Sequence, residues 1–154
     1  MNNTACKHQQ VFWSDAETVL RDIRTRVFMD EQQVSAADEW NGQDETAIHF
    51  LTYLDNDQAI ATARVLVEAD EAGESLYHIG RVAVLEDYRQ QGIGRSLMAY
   101  VIGWCIQQSS TARLYLHAQT SRTAFYEYLG FVPEGTEFMD AGIPHITMWY
   151  RPAP

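Results

Sequence analysis

The segment from Leu76 to Gln119 constrains the fold most, because it passes from a strand to a helix and back to a strand. Leu76 to Val84 is rich in β-forming residues. Gly92 to Gln108 then carries apolar residues at helical spacing, and Arg113 to Gln119 returns to a strand pattern. Two strands joined through a helix predict a crossover between parallel neighbours of one sheet.

The rest of the chain predicts a mixed sheet with helices on its faces, in the order β-α-ββ-β-α-β-α-ββ. The first helix is expected to begin at a capping box formed by Ser14 and Glu17. A short helix from Ser121 to Leu129 is expected to end at Gly130. The polar stretches 35–45 and 68–75 are typical of loops. The other predicted strands are Val11 to Trp13, Ala47 to Leu54, Ala59 to Val67, Phe131 to Phe138 and Ile143 to Tyr150.

Length and composition are those of one globular domain: 154 residues, 46% hydrophobic and 21% charged. The net charge of −10 argues against non-specific nucleic-acid binding and docking on anionic lipid, which both require a basic face. Residues 1–74 carry 15 acidic and 5 basic residues, whereas the second half is balanced. The first half could therefore attract a cation and the second half an anion, although a solubilising acidic surface is the alternative.

Cysteine and histidine spacing gives no framework for a metal or a disulfide. Cys6 and Cys105 are the two cysteines, and the five histidines include no His-x-x-x-His pair. The first ten residues are polar, and the longest apolar run, Leu97 to Ile106, is half of what a membrane span needs. We therefore predict a cytoplasmic protein without a signal peptide.

The loop from Arg89 to Arg95 has the chemistry of a diphosphate cradle. The first N–H groups of a helix lack intrahelical partners, and glycine lets a phosphate approach them. The two arginines can add charge-assisted hydrogen bonds. Leu97 occupies the third glycine position of the dinucleotide fingerprint, and no Walker sequence occurs. A structural turn between strand and helix is the alternative.

Two segments together resemble the GNAT superfamily of N-acetyltransferases. The sequence Arg89-Gln90-Gln91-Gly92-Ile93-Gly94, after a Val-Ala-Val strand, is similar to the coenzyme A pyrophosphate motif of that family. Downstream, Ala124 to Phe131 resembles its second signature, a tyrosine followed by Leu-Gly-Phe. The two lie in the family's order, separated by a helix and a strand. The resemblance covers roughly Val11 to Tyr150.

The resemblance implies one acetyltransferase domain over residues 1–154, with about six or seven strands, mostly antiparallel, and about four helices. Acetyl-CoA would lie where two strands splay apart, with Tyr126 near the sulfur as general acid. Gln119 stands where the family often has asparagine. The expected cofactor-binding residues are Val82, Ala83, Val84, Arg89, Gln90, Gln91, Gly92, Ile93, Gly94, Arg95, Gln119 and Tyr126.

The acceptor side is less defined by the sequence. The resemblance places an acceptor pocket after the first helix, where Asp30, Glu31, Asp38 and Glu39 could hold a cationic amine. His78 and His117 flank the expected cleft and either could accept a proton, although a packed histidine is the alternative, and the base stays unassigned. The candidate substrate-binding residues are Glu31, His78, His117 and His145. A small-molecule amine is favoured over a protein.

Two other functions fit the same residues. A non-catalytic acyl-CoA sensor would keep the glycines but show no turnover, and Tyr126 counts against it. A small interaction module would use the glycine turn only structurally. The helix after Gly92 is apolar almost all round, including Tyr100 and Trp104, which either a homodimer contact or burial within the chain would explain.

Overall fold

The computed structural model describes residues 5–153, and within them the strands form one seven-stranded sheet in the order β1-β2-β3-β4-β5-β7-β6. Residues 1–4 and 154, which belong to the predicted domain, lie outside this described part. The mixed sheet with its flanking helices confirms the predicted fold class. The strands are β1 (Cys6–Val11), β2 (Ile48–Leu54), β3 (Ala59–Ala69), β4 (Ser75–Val84), β5 (Arg113–Gln119), β6 (Phe131–Asp140) and β7 (Ile143–Tyr150).

Helices cover both faces of this sheet. The α-helices are α1 (Trp13–Arg24), α2 (Ala36–Glu39), α3 (Ile93–Gln108) and α4 (Thr123–Tyr128). A π-helical turn (Thr25–Glu31) continues α1, and single 3-10 turns precede α3 (Glu86–Tyr88) and α4 (Thr120–Arg122). Helix α3 makes the predicted crossover, because β4 and β5 pair in parallel, and its buried side chains lie in the main core between it and the sheet.

Two tight turns follow the sequence chemistry. The β2–β3 hairpin turns through Asp57, which adopts a positive φ of 66°. The β6–β7 hairpin turns through Ala141 and Gly142, both with positive φ. Two consecutive residues with positive φ are the geometry of a tight hairpin turn whose twist matches that of the strands.

The predicted positions of the first strand and of the start of the first helix are wrong. The first strand ends at Val11, and Trp13 already begins α1, since its side chain is buried against Leu20 and Ile23 in a second core cluster. The N-cap of α1 is Phe12, without a side-chain cap, so the capping box expected at Ser14 does not form. Burial of the indole outweighs the local capping preference.

The first predicted loop is also partly wrong. Residues 36–39 form α2, whose N-cap Ser35 accepts a hydrogen bond from the Asp38 amide at 3.1 Å. Glu39 is buried there because Arg24 and Arg81 bind its carboxylate. In the second predicted loop, β3 extends to Ala69, two residues further than expected.

The apolar helix α3 is covered mainly by its own chain. Trp104 packs edge-on against Phe50 and Tyr77, with ring centroids 5.6 and 6.2 Å apart. Tyr100 remains 40% exposed. Burial within the chain therefore accounts for Trp104, and a homodimer stays a prediction. Across residues 5–153, every helix is too short or too polar to cross a membrane.

Candidate active site

A gap opens between β4 and β5 in the middle of the sheet. The two strands pair over four residues, from Leu76 opposite Arg113 to Ile79 opposite Leu116. Beyond Ile79, β4 contains a bulge, where its register against β3 shifts and Arg81 adopts a φ of 50°. A bulge bends its strand and increases the local twist. Residues 80–84 therefore diverge from residues 117–119, which confirms the predicted splay.

The gap leads into a cavity of about 950 Å³ that reaches both faces of the splayed strands. The loop before α3, α4 and the end of β5 line one side. The π-helical turn, α2 and polar residues of β3, β4, β5 and β7 line the other. The sequence-predicted residues that it brings together are Val82, Ala83, Val84, Arg89, Gln90, Gly92, Ile93, Gly94, Arg95, Gln119, Tyr126, His78, His117 and His145.

The loop before α3 has the conformation that an anion cradle needs. Gln90 and Gly92 have positive φ values of 63° and 81°, and Gly92 is the N-cap of α3. The first intrahelical bond runs from Ser96 to the Gly92 carbonyl, so the N–H groups of residues 92–95 have no partner within the helix. No atom lies within 4 Å of a Cβ built on Gly92. This open space and the positive end of the helix dipole fit a phosphate group.

Arg89 is held at the edge of this loop by two contacts. Its Nε donates to the Val84 carbonyl at 2.8 Å, and its Nη2 lies 2.6 Å from a Glu31 carboxylate oxygen. Leu85, the next residue, donates to Ile60 on β3. Since successive residues of a strand point to opposite edges, the Val84 carbonyl points into the gap. Arg89 thus occupies the edge of β4 that β5 leaves free.

Tyr126 reaches the cavity from α4. Its ring packs edge-on against Phe125 and Phe131, with centroids 5.0 and 6.2 Å away. Burial raises the pKa of its phenol to about 12, and the positive charge of Arg122 partly opposes this shift. The phenol is therefore protonated at neutral pH and is available as an O–H donor.

Two of the predicted cofactor residues are already engaged by the protein. The Gln119 amide donates to the Gln32 side chain at 2.9 Å, which joins the end of β5 to the end of the π-helical turn. The Gln91 amide donates to the Asp87 carbonyl at 3.3 Å, and Gln91 does not line the cavity. Ile93 is buried, so only its main-chain groups can face a ligand, and the main chain of the buried Ala83 pairs with Thr62 on β3.

Three histidines lie on the second side of the cavity, which the π-helical turn, α2 and polar residues of the strands line. We call this side the acceptor side, after the acceptor pocket that the resemblance implies. The rings of His78 and His117 lie 4.7 Å apart, and His117 packs against Phe138 at 5.0 Å. Burial and then the charge of His117 lower the pKa of His78 to about 4, although Glu68 opposes this. Burial also lowers the pKa of His117. His145 donates from Nδ1 to the Ile143 carbonyl at 2.6 Å.

The acidic residues expected to hold an amine are mostly used elsewhere. Glu31 and Asp30 line a smaller neighbouring cavity and not the large one. Glu39 is buried in ion pairs with Arg24 and Arg81. Of the four acids named from the sequence, Asp38 and Glu39 line the large cavity.

Sequence reasoning missed the polar residues of β3 and β5. Arg64 and Glu68 face the cavity from β3, and Tyr115 faces it from β5. The Tyr115 hydroxyl donates to Glu68 at 2.5 Å and its ring stacks on His78, with centroids 4.4 Å apart. The alternation of side chains along a strand could have identified them. Arg64, Leu66 and Glu68 are two residues apart, so their side chains point to one face of β3. No group of three or more potential metal ligands among residues 5–153 is placed to hold a metal ion.

Comparison with known proteins matches this architecture. The family model described as an acetyltransferase (GNAT) domain matches residues 5–151. ElaA of Escherichia coli is 34% identical over 131 residues, which cover 84% of this chain and 83% of ElaA. YyaT of Bacillus subtilis is 33% identical over 129 residues, or 82% of each chain.

Solved structures agree with the sequence relatives. The crystal structure of Escherichia coli ElaA superposes with a TM-score of 0.83 and 31% identity, covering 96% of this chain and all of that one. An acyl-CoA N-acyltransferase from Pseudomonas aeruginosa has a TM-score of 0.79 and 28% identity, covering 94% and 99% of the two chains. The chain therefore belongs to the GNAT acetyltransferase family, and it is an acyltransferase.

Proposed function

We propose that this acyltransferase moves the acetyl group of acetyl-CoA to a primary amine by direct attack in a ternary complex. The observation that carries the proposal is the gap between β4 and β5, which opens at one end on the first turn of α3 and on Tyr126. Phosphate, thioester and amine can then share one continuous cavity. The Pseudomonas aeruginosa relative, named as an acyl-CoA N-acyltransferase, supports the same chemistry.

The cofactor side would bind acetyl-CoA mainly through main-chain groups. The free N–H groups at the start of α3 would hold the diphosphate, and Arg95 and Arg89 would add positive charge. The edge of residues 82–84 that faces the gap would pair with the amide groups of the pantetheine arm, as an added strand pairs with a sheet edge, while the Val84 carbonyl keeps its bond to Arg89. A main-chain N–H of that edge would also stabilise the oxyanion that forms on the thioester carbonyl.

In the reaction, the neutral amine attacks the thioester carbonyl, a C–N bond forms and the C–S bond breaks. The departing thiolate takes the phenol proton of Tyr126, and the ammonium-like nitrogen gives up one proton. His78 and His117 lie on the acceptor side and are neutral at pH 7, because burial lowers both pKa values. Either ring can accept that proton directly or through water.

Two measurements on the purified chain test the proposal. Calorimetry with CoA is expected to give a dissociation constant in the micromolar range, and thiol release with a panel of primary amines is expected to show turnover. Absence of CoA binding at millimolar concentration would exclude the proposed cofactor site. Tight CoA binding without thiol release for any amine would favour the sensor instead.

A further inference from the structure

Five charged side chains, four of them buried and Arg81 partly exposed, form a cluster beneath the acceptor side of the cavity. Arg24 donates to Glu39 and to Asp44, each at 2.6 Å. Arg64 binds Asp44 at 3.0 Å, and Arg81 binds Glu39 at 3.1 Å. Glu39, Arg64 and Arg81 line the cavity, whereas Arg24 and Asp44 lie behind them.

The charges in this cluster do not balance. Three guanidinium groups meet two carboxylates, and within residues 5–153 no third carboxylate pairs with any of the three. The neighbouring His49 adds no charge to this count. Its Nε2 donates to the Asp44 carbonyl at 2.8 Å, and burial lowers the pKa of its ring, so it is neutral at pH 7. Within the cluster one positive charge is therefore left over, while Asp38 and Glu68 are separate carboxylates that line the same cavity without pairing with these arginines.

Arg64 is the arginine of this cluster whose hydrogen bonds are incomplete. Its side chain is 4% exposed, and only Nη1 is engaged, with Asp44 and with Asn41 at 3.4 Å. Nε is buried without a partner, and Nη2 makes no hydrogen bond to any residue of the described chain. Burial and then the charge of Arg81 lower the pKa of Arg64 to about 10, so the group is still cationic at pH 7. An unsatisfied buried charge is costly, because nothing replaces the water that it lost.

The unpartnered edge of Arg64 has the arrangement that a carboxylate requires, and Nε, which is closed to solvent, comes within reach of a ligand when the side chain shifts toward the cavity. Nε and Nη2 form one edge of the planar guanidinium group, and two parallel N–H groups match the two oxygens of a carboxylate. A single surplus positive charge is neutralised by a monoanion. A phosphate dianion would leave an excess negative charge in the same place.

We propose that the Arg64 edge, supported by Arg81, binds a carboxylate carried by the amine acceptor, so that the acceptors are amino acids. This assignment rests on the proposed acetyl transfer. Arg64 lies opposite Gly80, the first residue of the splayed segment of β4, and His78 lies opposite Leu66, two residues further along β3. The carboxylate and the proton-accepting histidines thus lie on neighbouring strands, on the acceptor side of the gap.

The first test needs no mutation. Each of the twenty amino acids, with β-alanine and γ-aminobutyrate, is compared with its primary amide by calorimetry on CoA-saturated protein and by thiol release. We expect at least one amino acid to bind at least about tenfold more tightly than its amide, the effect of one charge-assisted fork. No preference for a carboxylate in the whole panel would overturn the proposal. So would tighter binding of an aminoalkyl phosphonate than of the matching carboxylate.

The second test removes the surplus charge. Arg81→Gln leaves two guanidinium groups and two carboxylates, and it is expected to weaken carboxylate binding at least about fivefold while amide binding is unchanged. Arg64→Gln is expected to abolish the carboxylate preference. Arg151→Gln removes an exposed arginine paired with Glu134 and serves as the matched control, with no effect expected. An unchanged carboxylate preference in folded Arg81→Gln and Arg64→Gln proteins would overturn the assignment.

The binding and turnover measurements separate the two proposals. If an amino acid binds in preference to its amide but no amine releases thiol, acetyl transfer fails and the carboxylate site stands. If amines without a carboxylate are acetylated at least as fast as amino acids and bind equally well, acetyl transfer stands and the carboxylate site fails.

Discussion

The guanidinium group of Arg89 lies 2.6 Å from the carboxylate of Glu31, and this ion pair joins the loop before α3 to the π-helical turn after α1. The pair crosses from the cofactor side of the cavity to its neighbour cavity. Arg89 therefore has two competing partners once a diphosphate is present, and Glu31 sets how easily it can move.

The first prediction follows from this competition. Glu31→Gln is expected to tighten CoA binding by about two- to fivefold, because a partly exposed ion pair contributes about 0.5–1 kcal/mol and no longer holds Arg89. Calorimetry at low ionic strength measures the change. In an Arg89→Gln background the Glu31 substitution is expected to have no effect, and a persisting gain there would show that Glu31 acts through another group.

The second prediction concerns the proton donor. Tyr126→Phe is expected to lower kcat by about 10²- to 10⁴-fold, because the departing thiolate then lacks its proton source, while CoA affinity is unchanged. Steady-state thiol release and calorimetry provide the two numbers. Tyr100→Phe is the matched control, since that side chain is 40% exposed and outside the cavity. Equal turnover of wild type and Tyr126→Phe would remove the phenol from the mechanism.

The third prediction separates backbone strain from ligand contact at Gly92. Gly92→Glu is expected to abolish CoA binding, because its carboxylate would enter the space of a phosphate. Gly73→Glu provides the control, since Gly73 has the same φ of 81° and equally open surroundings, in the β3–β4 turn. Both variants are expected to lose about 1–2 kcal/mol of stability from the left-handed conformation. CoA titrations of both, with urea unfolding curves, distinguish the two effects.

The fourth prediction is a loss of stability at mildly acid pH. The pKa of His78 falls from 6.5 to about 4 in the folded chain, so between these pH values the unfolded chain binds a proton that the folded chain does not. The contribution of His78 to the free energy of unfolding is therefore fully present above pH 6.5 and is lost as the pH falls toward 4. Urea midpoints at half-unit steps measure it. A His78→Gln variant is expected to show a shallower decrease, and an identical slope would exclude His78 as a source.

The fifth prediction concerns the buried charge cluster. Glu39→Gln is expected to cost about 3–5 kcal/mol, because it leaves Arg24 and Arg81 without their shared carboxylate in a buried position. Glu17→Gln removes an exposed partner of Arg21 on α1 and is expected to cost less than about 1 kcal/mol. Chemical denaturation of both variants makes the comparison, and equal small losses would show that the buried pairs contribute little net stability.

The order of the elements could be predicted because it depends on local periodicity. The alternation from β4 through α3 to β5 is visible in short windows, and the predicted bounds of α3 and β5 agree with the structure to within one residue. The start of α1 could not be placed, since it depends on where the Trp13 indole finds a distant core. Helix α2 was missed for the same reason, because its last residue is held by arginines from two other elements.

The two sides of the candidate site differed in how far the sequence defines them. The anion cradle of the cofactor side is one contiguous loop, so Gly92 and its neighbours could be identified from a motif. The acceptor side is assembled from Arg64, Glu68, Tyr115 and His145, which lie on three different strands. Only the pairing register brings these side chains to one face of the sheet. The surplus positive charge of the cluster can be found only by counting its ion pairs in the folded chain. The partners of these pairs lie far apart in the sequence, so no short window shows them.

The short parallel seam between β4 and β5 also has a mechanical consequence. Strands β1–β4 form one antiparallel block and β5–β7 another, and four residue pairs at the narrow end, with the α3 crossover, join them. This seam has fewer residue pairs than any other pair of neighbouring strands in the sheet. We therefore expect the angle between the two blocks, and not the hydrogen bonding inside either block, to set the width of the cavity mouth.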